Sequence, residues 1–384
     1  MKKVNITNIC EIQVGKTPSR SNPLYWGDGA LWLSIADMNQ GPVLESTRET
    51  ITEKAIKECN CKIVPKNTVL FSFKLSIGKV GITKIPMYTN EAIAAFIIKD
   101  HLKIDTKYLF YVMKSVDYSI GSNKAVMGKT LNKAQLEKIE IPFPPLEKQK
   151  RIVKILDEAD ALRQKRKQAI ALLDDYLKSM FLEMFGDPVR NPKRWKETGL
   201  DVLLTSMTSG SRGWSKYFAD DGDIFLTIKN VGRGNQLIFK DITYVNPPNN
   251  AEAKRTKVRE GDVLLSITAD LGRTAVVPKL ARAAYINQHL AILRLKDGNN
   301  PTYISYYISS DGGQLQINRM NKGAAKAGLN FNDIKSINIQ LPPVEMQNHF
   351  ALICEKAESI KQYMLAQSEE LETQFQALMQ REFR

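Results

Sequence analysis

"IPFPPLEKQKRIVKIL" (residues 141–156) and "IQLPPVEMQNHFALIC" (residues 339–354) turn the same corner twice. In both, a strand-like run enters Pro-Pro and leaves into a helical pattern, with Glu and Gln at the same two offsets. The corners lie 198 residues apart in a chain of 384. A match at that distance points to internal duplication, which is sought by walking outward. Before the corner, "KTLNKAQLEKIEIPFPP" (residues 129–145) parallels "AGLNFNDIKSINIQLPP" (residues 327–343), with Leu131-Asn132 on Leu329-Asn330 and Ile139 on Ile337. Further back, "NTVLFSFKLSIGKVGI" (residues 67–82) parallels "GDVLLSITADLGRTAV" (residues 261–276). "NEAIAAFIIKD" (residues 90–100) parallels "NQHLAILRLKD" (residues 287–297), and "GALWLSIADM" (residues 29–38) parallels "GDIFLTIKNV" (residues 222–231), which sets Trp32 on Phe225 and Asp37 on Asn230. The offset drifts between 193 and 198, as insertions in loops would produce.

The chain therefore reads as two copies of one unit, a period far too long for a solenoid. The expected fold class is α+β: two tandem α/β domains related by a pseudo-two-fold, each followed by a long helix. The expected division is a domain over residues 1–145, a helix over 146–186, a second domain over 187–343 and a second helix over 344–384. The arrangement amounts to an internal pseudo-dimer.

Beyond each corner the apolar residues fall into a heptad frame. Its seam positions are Ile152, Ile155, Ala159, Leu162, Arg166, Ala169, Leu173, Tyr176 and Met180 in the first copy. In the second they are Phe350, Ile353, Ala357, Ile360, Met364, Gln367, Leu371, Gln374 and Leu378. Pro145 suits a first helical turn, where its missing N–H removes no bond. Glu147 lies near the positive end of the helix dipole, and Gly186 followed by Pro188 ends the helix. Each helix would be about 60 Å long at 1.5 Å per residue, longer than a domain of such size is wide. Pairing of the two helices as an antiparallel coiled coil is thus favoured over packing of each on its own domain. The run Arg163, Lys165, Arg166, Lys167 is either a solvated face or one turned to a DNA backbone or an acidic partner.

Composition narrows the function. The chain is 43% hydrophobic and 25% charged, ordinary for a globular protein, but carries a net charge of +14 and a pI near 9.4. Such a balance favours a polyanionic partner, because Lys and Arg that neutralise phosphates release condensed counterions. "MKKVNITNIC" has no apolar core of a signal peptide. The longest apolar run, residues 92–98, is too short to span a bilayer. A cytoplasmic location without membrane contact is expected. Cys10, Cys59, Cys61 and Cys354 form no disulfide framework, and Cys59-Asn60-Cys61 lacks a second ligand pair for zinc. His101, His289 and His349 are scattered, so no metal site is expected.

Several enzyme signatures fail. Gly15-Lys16-Thr17 and Gly128-Lys129-Thr130 suggest a phosphate loop, but the glycine required five residues earlier is Cys10 in one case and Asn123 in the other. "NPPN" (residues 246–249) lacks the aromatic of the Asn-Pro-Pro-aromatic loop of amino-methyltransferases. No paired carboxylates with a lysine, and no Ser-His-Asp set with supporting context, stand out. The pattern is that of a reader rather than a catalyst.

The residues resemble the specificity subunits of type I restriction-modification systems. The resemblance is carried by "GKTPSRSNPLYWGDGALWLSIADM" (residues 15–38), by "LFSFKLSIGKVGI" (residues 70–82) with the downstream "NEAIAAF", and by "PFPPLEKQKRIVKILDEADAL" (residues 142–162). The passage "FLEMFGDPVRNPKRW" (residues 181–195) into the second copy adds to it. The resemblance spans nearly the whole chain. It implies that each globular half is a target-recognition domain reading one half of a split, asymmetric site in double-stranded DNA, with the paired helices as a ruler for the gap. It implies no cofactor in this chain. Two methyltransferase subunits with S-adenosylmethionine, and restriction subunits using ATP and Mg2+, would be its partners. The alternatives are a standalone duplicated DNA-binding or assembly module, and a specificity half detached from a fused enzyme.

Within that reading the two halves share a framework but differ in loops: "GKTPSRSNPLYW" faces "GSRGWSKYFADD", and "VMGKTLN" faces "AAKAGLN". Candidate DNA contacts are Lys16, Ser19, Arg20, Lys74, Lys79 and Lys129 in the first half, and Ser211, Arg212, Lys216, Arg233, Arg273 and Lys326 in the second. Trp26 and Trp214 are read as packing beneath the loops, with loop anchoring as the alternative. The spacer contacts expected to matter most are Ile152, Ile155, Leu162, Leu173, Ile353, Ile360, Met364 and Leu371.

Overall fold

The structure is a computed structural model, and it describes residues 2–74, 76–116, 131–321 and 328–383. By contact the chain forms two compact units, Met1–Arg166 with Gln367–Arg384, and Lys167–Ala366, so each unit takes in part of both long helices.

In the first unit, Cys10–Val14, Ile93–Ile98, Val69–Ser72, Val80–Thr83 and Val43–Leu44 hydrogen-bond in that order as a five-stranded sheet. Its central strands are apolar on both faces because both are covered. Side chains alternate across a strand, so Val69, Phe71, Ala94 and Phe96 face one core with the helix Thr106–Ser115. Leu70, Ile93 and Ala95 face another with Leu33, Met38 and Met87. A three-stranded sheet, Glu49–Ile51, Trp26–Leu33 and Tyr88–Thr89, adjoins it. Lys3–Asn5 pairs antiparallel with Glu140–Pro142 just before the corner.

The second unit repeats this plan. Leu204–Ser209, Leu290–Leu295, Val263–Ser266 and Thr274–Val276 form one sheet; Phe218–Ala219, Thr243–Val245, Asp223–Leu226 and Ala284–Ile286 form another. Val263, Leu265, Ala291 and Leu293 face a core containing Tyr303 and Tyr307 of the helix Pro301–Ser309. Leu264, Leu290 and Ile292 face the opposite one. Lys196–Gly199 pairs with Asn338–Leu341 before the second corner. In both units the second sheet contains a parallel pair, Trp32 opposite Tyr88 and Phe225 opposite Tyr285. The duplication is thus one of topology as well as sequence.

The long helices are Leu146–Phe185 and Val344–Phe383, of 40 residues each. They run antiparallel inside each unit. In the first, Arg151 and Ile152 lie beside Arg381 and Glu382, while Arg163 forms an ion pair with Glu372 and lies 4.2 Å from the Phe375 ring. In the second, Lys361 pairs with Asp174 at 2.7 Å, and Phe181 and Phe185 each lie 5.5 Å from Phe350. The buried line runs through Ile152, Val153 and Leu156 with Phe375, Met379 and Phe383, and through Leu177, Phe181 and Phe185 with Phe350, Cys354 and Ala357. Of the named spacer residues, Ile152 is buried and Ile155, Leu173, Ile353, Met364 and Leu371 are half-buried. Leu162 is 57% exposed and Ile360 51% exposed, a departure from the expected seam. The helices also bury faces against their domains, which rotates the contact line by about one residue from a two-helix frame.

Candidate nucleic-acid interface

In each domain a set of loops gathers where the central sheet ends, and each set hangs on the same polar knot. Ser72 Oγ donates to Ser76 O at 2.5 Å and accepts from Lys79 N at 3.0 Å. Ser266 Oγ donates to Asp270 O at 2.5 Å and accepts from Arg273 N at 2.9 Å. Both serines are buried, so the hydroxyl satisfies backbone groups that water cannot reach. The backbone of the next residue ties in the returning chain: Leu131 N donates to Phe73 O, and Leu329 N to Ile267 O, both at 2.9 Å.

The basic residue that closes each knot also reaches across its domain. Lys79 Nζ donates to Ile35 O at 3.2 Å, and Arg273 Nη1 to Val231 O at 3.4 Å. Ile35 lies just before the 3-10 turn Asp37–Gln40, and Val231 just after the 3-10 turn Ile228–Asn230. Arg273 also pairs with Asp270, whose carboxyl it holds below the usual range, and Arg233 approaches the same carboxylate at 3.6 Å. Lys79 and Arg273 thus brace the loops.

A second repeated device sits beside the knots. Asn90 Oδ1 accepts from Ala92 N, and Asn287 Oδ1 from His289 N, each at 3.1 Å. Asn90 N donates to Leu33 O and Asn287 N to Leu226 O, again at 3.1 Å. Glycine faces each turn, because a Cβ at Gly15 would fall 2.1 Å from Thr89 O and one at Gly210 2.1 Å from Asn287 O. Each Asn turn presents the following residue at its tip: Glu91 in one domain, Gln288 in the other.

Around this shared frame the loops diverge. In the first domain Lys16, Ser19 and Arg20 are exposed on one loop anchored by two indoles. Trp32 Nε1 donates to Lys16 O at 2.9 Å, and Trp26 Nε1 to Ser19 O at 3.2 Å. Lys16 Nζ reaches Cys59 O at 3.2 Å, and Ser19 Oγ lies 2.8 Å from Ser21 Oγ. Arg20 forks onto Glu49, its second bond 2.9 Å long, and lies 3.8 Å from the Trp26 ring centroid and 5.2 Å from that of Trp32. The fork raises the Arg20 pKa and holds the Glu49 carboxyl below its ordinary range. Lys74, half-buried, lies 5.3 Å from the Phe73 ring.

In the second domain Ser211 accepts from Arg255 Nη2 at 2.6 Å, and Arg255 Nη1 also donates to Thr208 Oγ1 at 2.7 Å. Arg212, Lys216 and Arg233 are exposed; Lys216 lies 4.9 Å from the Tyr217 ring. Trp214 is buried, stacks 5.2 Å from Phe225 and donates Nε1 to Glu252 at 2.9 Å. Lys129 and Lys326 lie outside the described residues. Sequence reasoning missed Arg255, Glu91, Gln288 and His289. The last three stand in the aligned "NEAIAAF" and "NQHLAIL", where the shared Asn and the differing next residue were the available signal.

The sites offer Lys and Arg donors suited to phosphates and base edges. A family model described as the type I restriction modification DNA specificity domain matches the chain twice, over residues 1–172 and 192–372. The type I restriction enzyme MjaIX specificity subunit of Methanocaldococcus jannaschii is 27% identical over 369 residues, covering 90% of this chain and 84% of that protein. The EcoprrI specificity subunit of Escherichia coli is 20% identical, covering 92% and 87%. Two solved structures share the fold. One, from a type I restriction-modification system described for its complex assembly and conformational transition, has a TM-score of 0.60 at 16% identity, covering 100% of this chain and 97% of that one. The S subunit of M. genitalium has a TM-score of 0.55 at 14% identity, covering 100% and 96%.

Proposed function

The chain belongs to the family of type I restriction-modification DNA specificity subunits, which are non-catalytic members of their enzyme complexes, and on that premise we propose that its two domains read the two halves of one bipartite, asymmetric site in double-stranded DNA. The paired long helices fix the gap between the half-sites and dock two methyltransferase subunits. Restriction subunits join that assembly. S-adenosylmethionine, ATP and Mg2+ belong to those partners, and this chain supplies sequence recognition. Among the described residues no helix is long and apolar enough to cross a membrane.

The observation that carries the reading is one scaffold built twice with unlike side chains on it. The Ser72 and Ser266 knots and the Asn90 and Asn287 turns repeat bond for bond. The loops they hold present Lys16, Ser19 and Arg20 in one domain, and Ser211, Arg212 and Arg233 in the other. Phosphate contacts would position each domain and the differing loop side chains would specify bases.

The test is exchange of residues 1–145 for the matching domain of a relative, with co-expressed methyltransferase subunits and genome-wide mapping of methyladenine. One half of the methylated motif should change while the other half and the gap stay. Change in both halves overturns the modular reading. Failure to form a stable complex, with no new bipartite methylation, favours a standalone DNA-binding module.

A further inference from the structure

Glu91 and Gln288 occupy one position of the repeat but differ in chemistry, and nothing in the bracing of the scaffold requires that difference. We infer that these two turn-tip residues are equivalent specificity positions, Glu91 reading a base edge in the first half-site and Gln288 a different base edge in the second. The inference rests on the two-domain reading above and names the atoms behind part of it.

The turn beneath each tip is rigid. One backbone bond, one bond through Oδ1 and a packed glycine hold each of Asn90 and Asn287 as described, and Ile93 N and Leu290 N close the turns onto Asn90 O and Asn287 O at 3.2 Å each. A side chain on such a turn loses little freedom on binding, the condition for discrimination by hydrogen bonds. Each tip also lies among the loops that carry the basic side chains. Glu91 accepts a hydrogen bond from Thr17 Oγ1, next to Lys16. Gln288 Nε2 lies 3.0 Å from His289 Nε2, and His289 Nδ1 lies 2.5 Å from Thr268 Oγ1, in the loop of the Ser266 knot.

These partners fix what each tip can offer. A carboxylate only accepts, and with Oε2 engaged by Thr17 the other oxygen of Glu91 remains to accept a hydrogen bond from an exocyclic amine, as Glu does from cytosine N4. The Gln288 amide carries two N–H groups and one carbonyl. With one N–H directed to His289 Nε2, the second N–H and Oε1 remain as the adjacent donor and acceptor that match adenine N7 and N6. His289 is a positioning residue: its contact with Thr268 fixes the ring, and the ring fixes the amide.

The test uses the whole chain co-expressed with its methyltransferase subunits in a host lacking adenine methylation, with the methylated motif read genome-wide. Glu91→Gln should alter or relax one base pair of the first half-site; Gln288→Glu should do so in the second. Each should disfavour the original base pair by about 5- to 150-fold, with the gap and the opposite half unchanged. His289→Phe should relax the Gln288 position alone. An unchanged motif in both tip variants overturns this inference and leaves the two-domain reading standing, whereas altered bases in both half-sites from one variant overturn the two-domain reading. If a variant complex no longer methylates, binding selection from a randomised duplex pool replaces the methylation readout. Recovery of the original motif at every position, or loss of binding to all duplexes, then overturns the inference.

Discussion

Gln347 repeats two of the hydrogen bonds of Gln149. Gln149 Oε1 accepts from Asp105 N at 3.0 Å and its amide donates to Pro144 O at 2.9 Å. Gln347 Oε1 accepts from Asn300 N at 3.0 Å and its amide donates to Pro342 O at 2.9 Å. Asp105 and Asn300 are the N-caps of the helices Thr106–Ser115 and Pro301–Ser309. Each glutamine, in the first turns of a long helix, therefore clasps that helix to its Pro-Pro corner and to the cap of a domain helix. This is why the corner carries Gln at the same offset in both copies.

Both glutamines are buried, so truncation strands backbone groups away from water. Gln149→Ala and Gln347→Ala should each destabilise the fold by roughly 1–3 kcal/mol. Glu at either position should not restore the parent, since it still accepts the N-cap N–H but sets a buried second acceptor against the proline carbonyl. Urea unfolding of the three forms would check this; an Ala variant as stable as the parent would refute the clasp.

The Arg20–Glu49 fork makes a statement about pH. Glu49 has a folded pKa below its ordinary value of 4.5 because Arg20 hydrogen-bonds its charged form. A depressed carboxylate contributes stability above its unfolded pKa and loses it as pH falls through the folded one. Both side chains are more than a third exposed, so solvent screening keeps the contribution small. Glu49→Gln should lower the melting temperature by a constant small amount from about pH 5 to 8. The gap to the parent should close below pH 4.5. Arg20→Lys should not restore the parent, because an ammonium cannot fork onto the carboxylate while stacking on Trp26.

Much of this architecture was legible in sequence because local rules carried it. Pro-Pro, the heptad-like spacing and Gly186 announced the long helices, and the aligned strands announced the duplicated sheets. The contact line was misplaced by a residue because Leu162 and Ile360 look apolar in a two-helix frame, while Val153, Leu156 and Phe375 answer also to the domain beside them. Pairings such as Arg20 with Glu49, or Lys79 with Ile35 O, join residues 29 and 44 positions apart. No spacing rule reaches that far. A lysine that braces a turn and one that awaits a phosphate have the same sequence signature.

Arg163 is the charged centre of the helix pair in the first unit. Only 12% of its side chain is exposed; it pairs with Glu372 and, at 2.6 Å, with Asp160, and it lies over Phe375. Arg163→Glu would gather three carboxylates there and should destabilise by roughly 2 kcal/mol. Adding Glu372→Arg should return about 1 kcal/mol, the rest being withheld by Asp160 and the lost cation–π contact. A double-mutant cycle by denaturant unfolding measures the coupling, and zero coupling would remove the pair from the account of how the helices hold register.

If the paired helices set the gap, their length should be readable in the DNA. Insertion of four helix-forming residues beside Ala169 adds about one turn, roughly 6 Å at 1.5 Å per residue. DNA rises about 3.4 Å per base pair, so the preferred gap should lengthen by about one to two base pairs. Ala169 is remote in sequence from the recognition loops, whose knots depend on Ser72 and Ser266, so both half-sites should stay as they are. Methylated-motif mapping of the insertion variant reads gap and half-sites together. A longer gap with intact half-sites supports the ruler; an unchanged gap with methylation retained refutes it, because a rigid spacer cannot be extended by a turn without moving what it spaces.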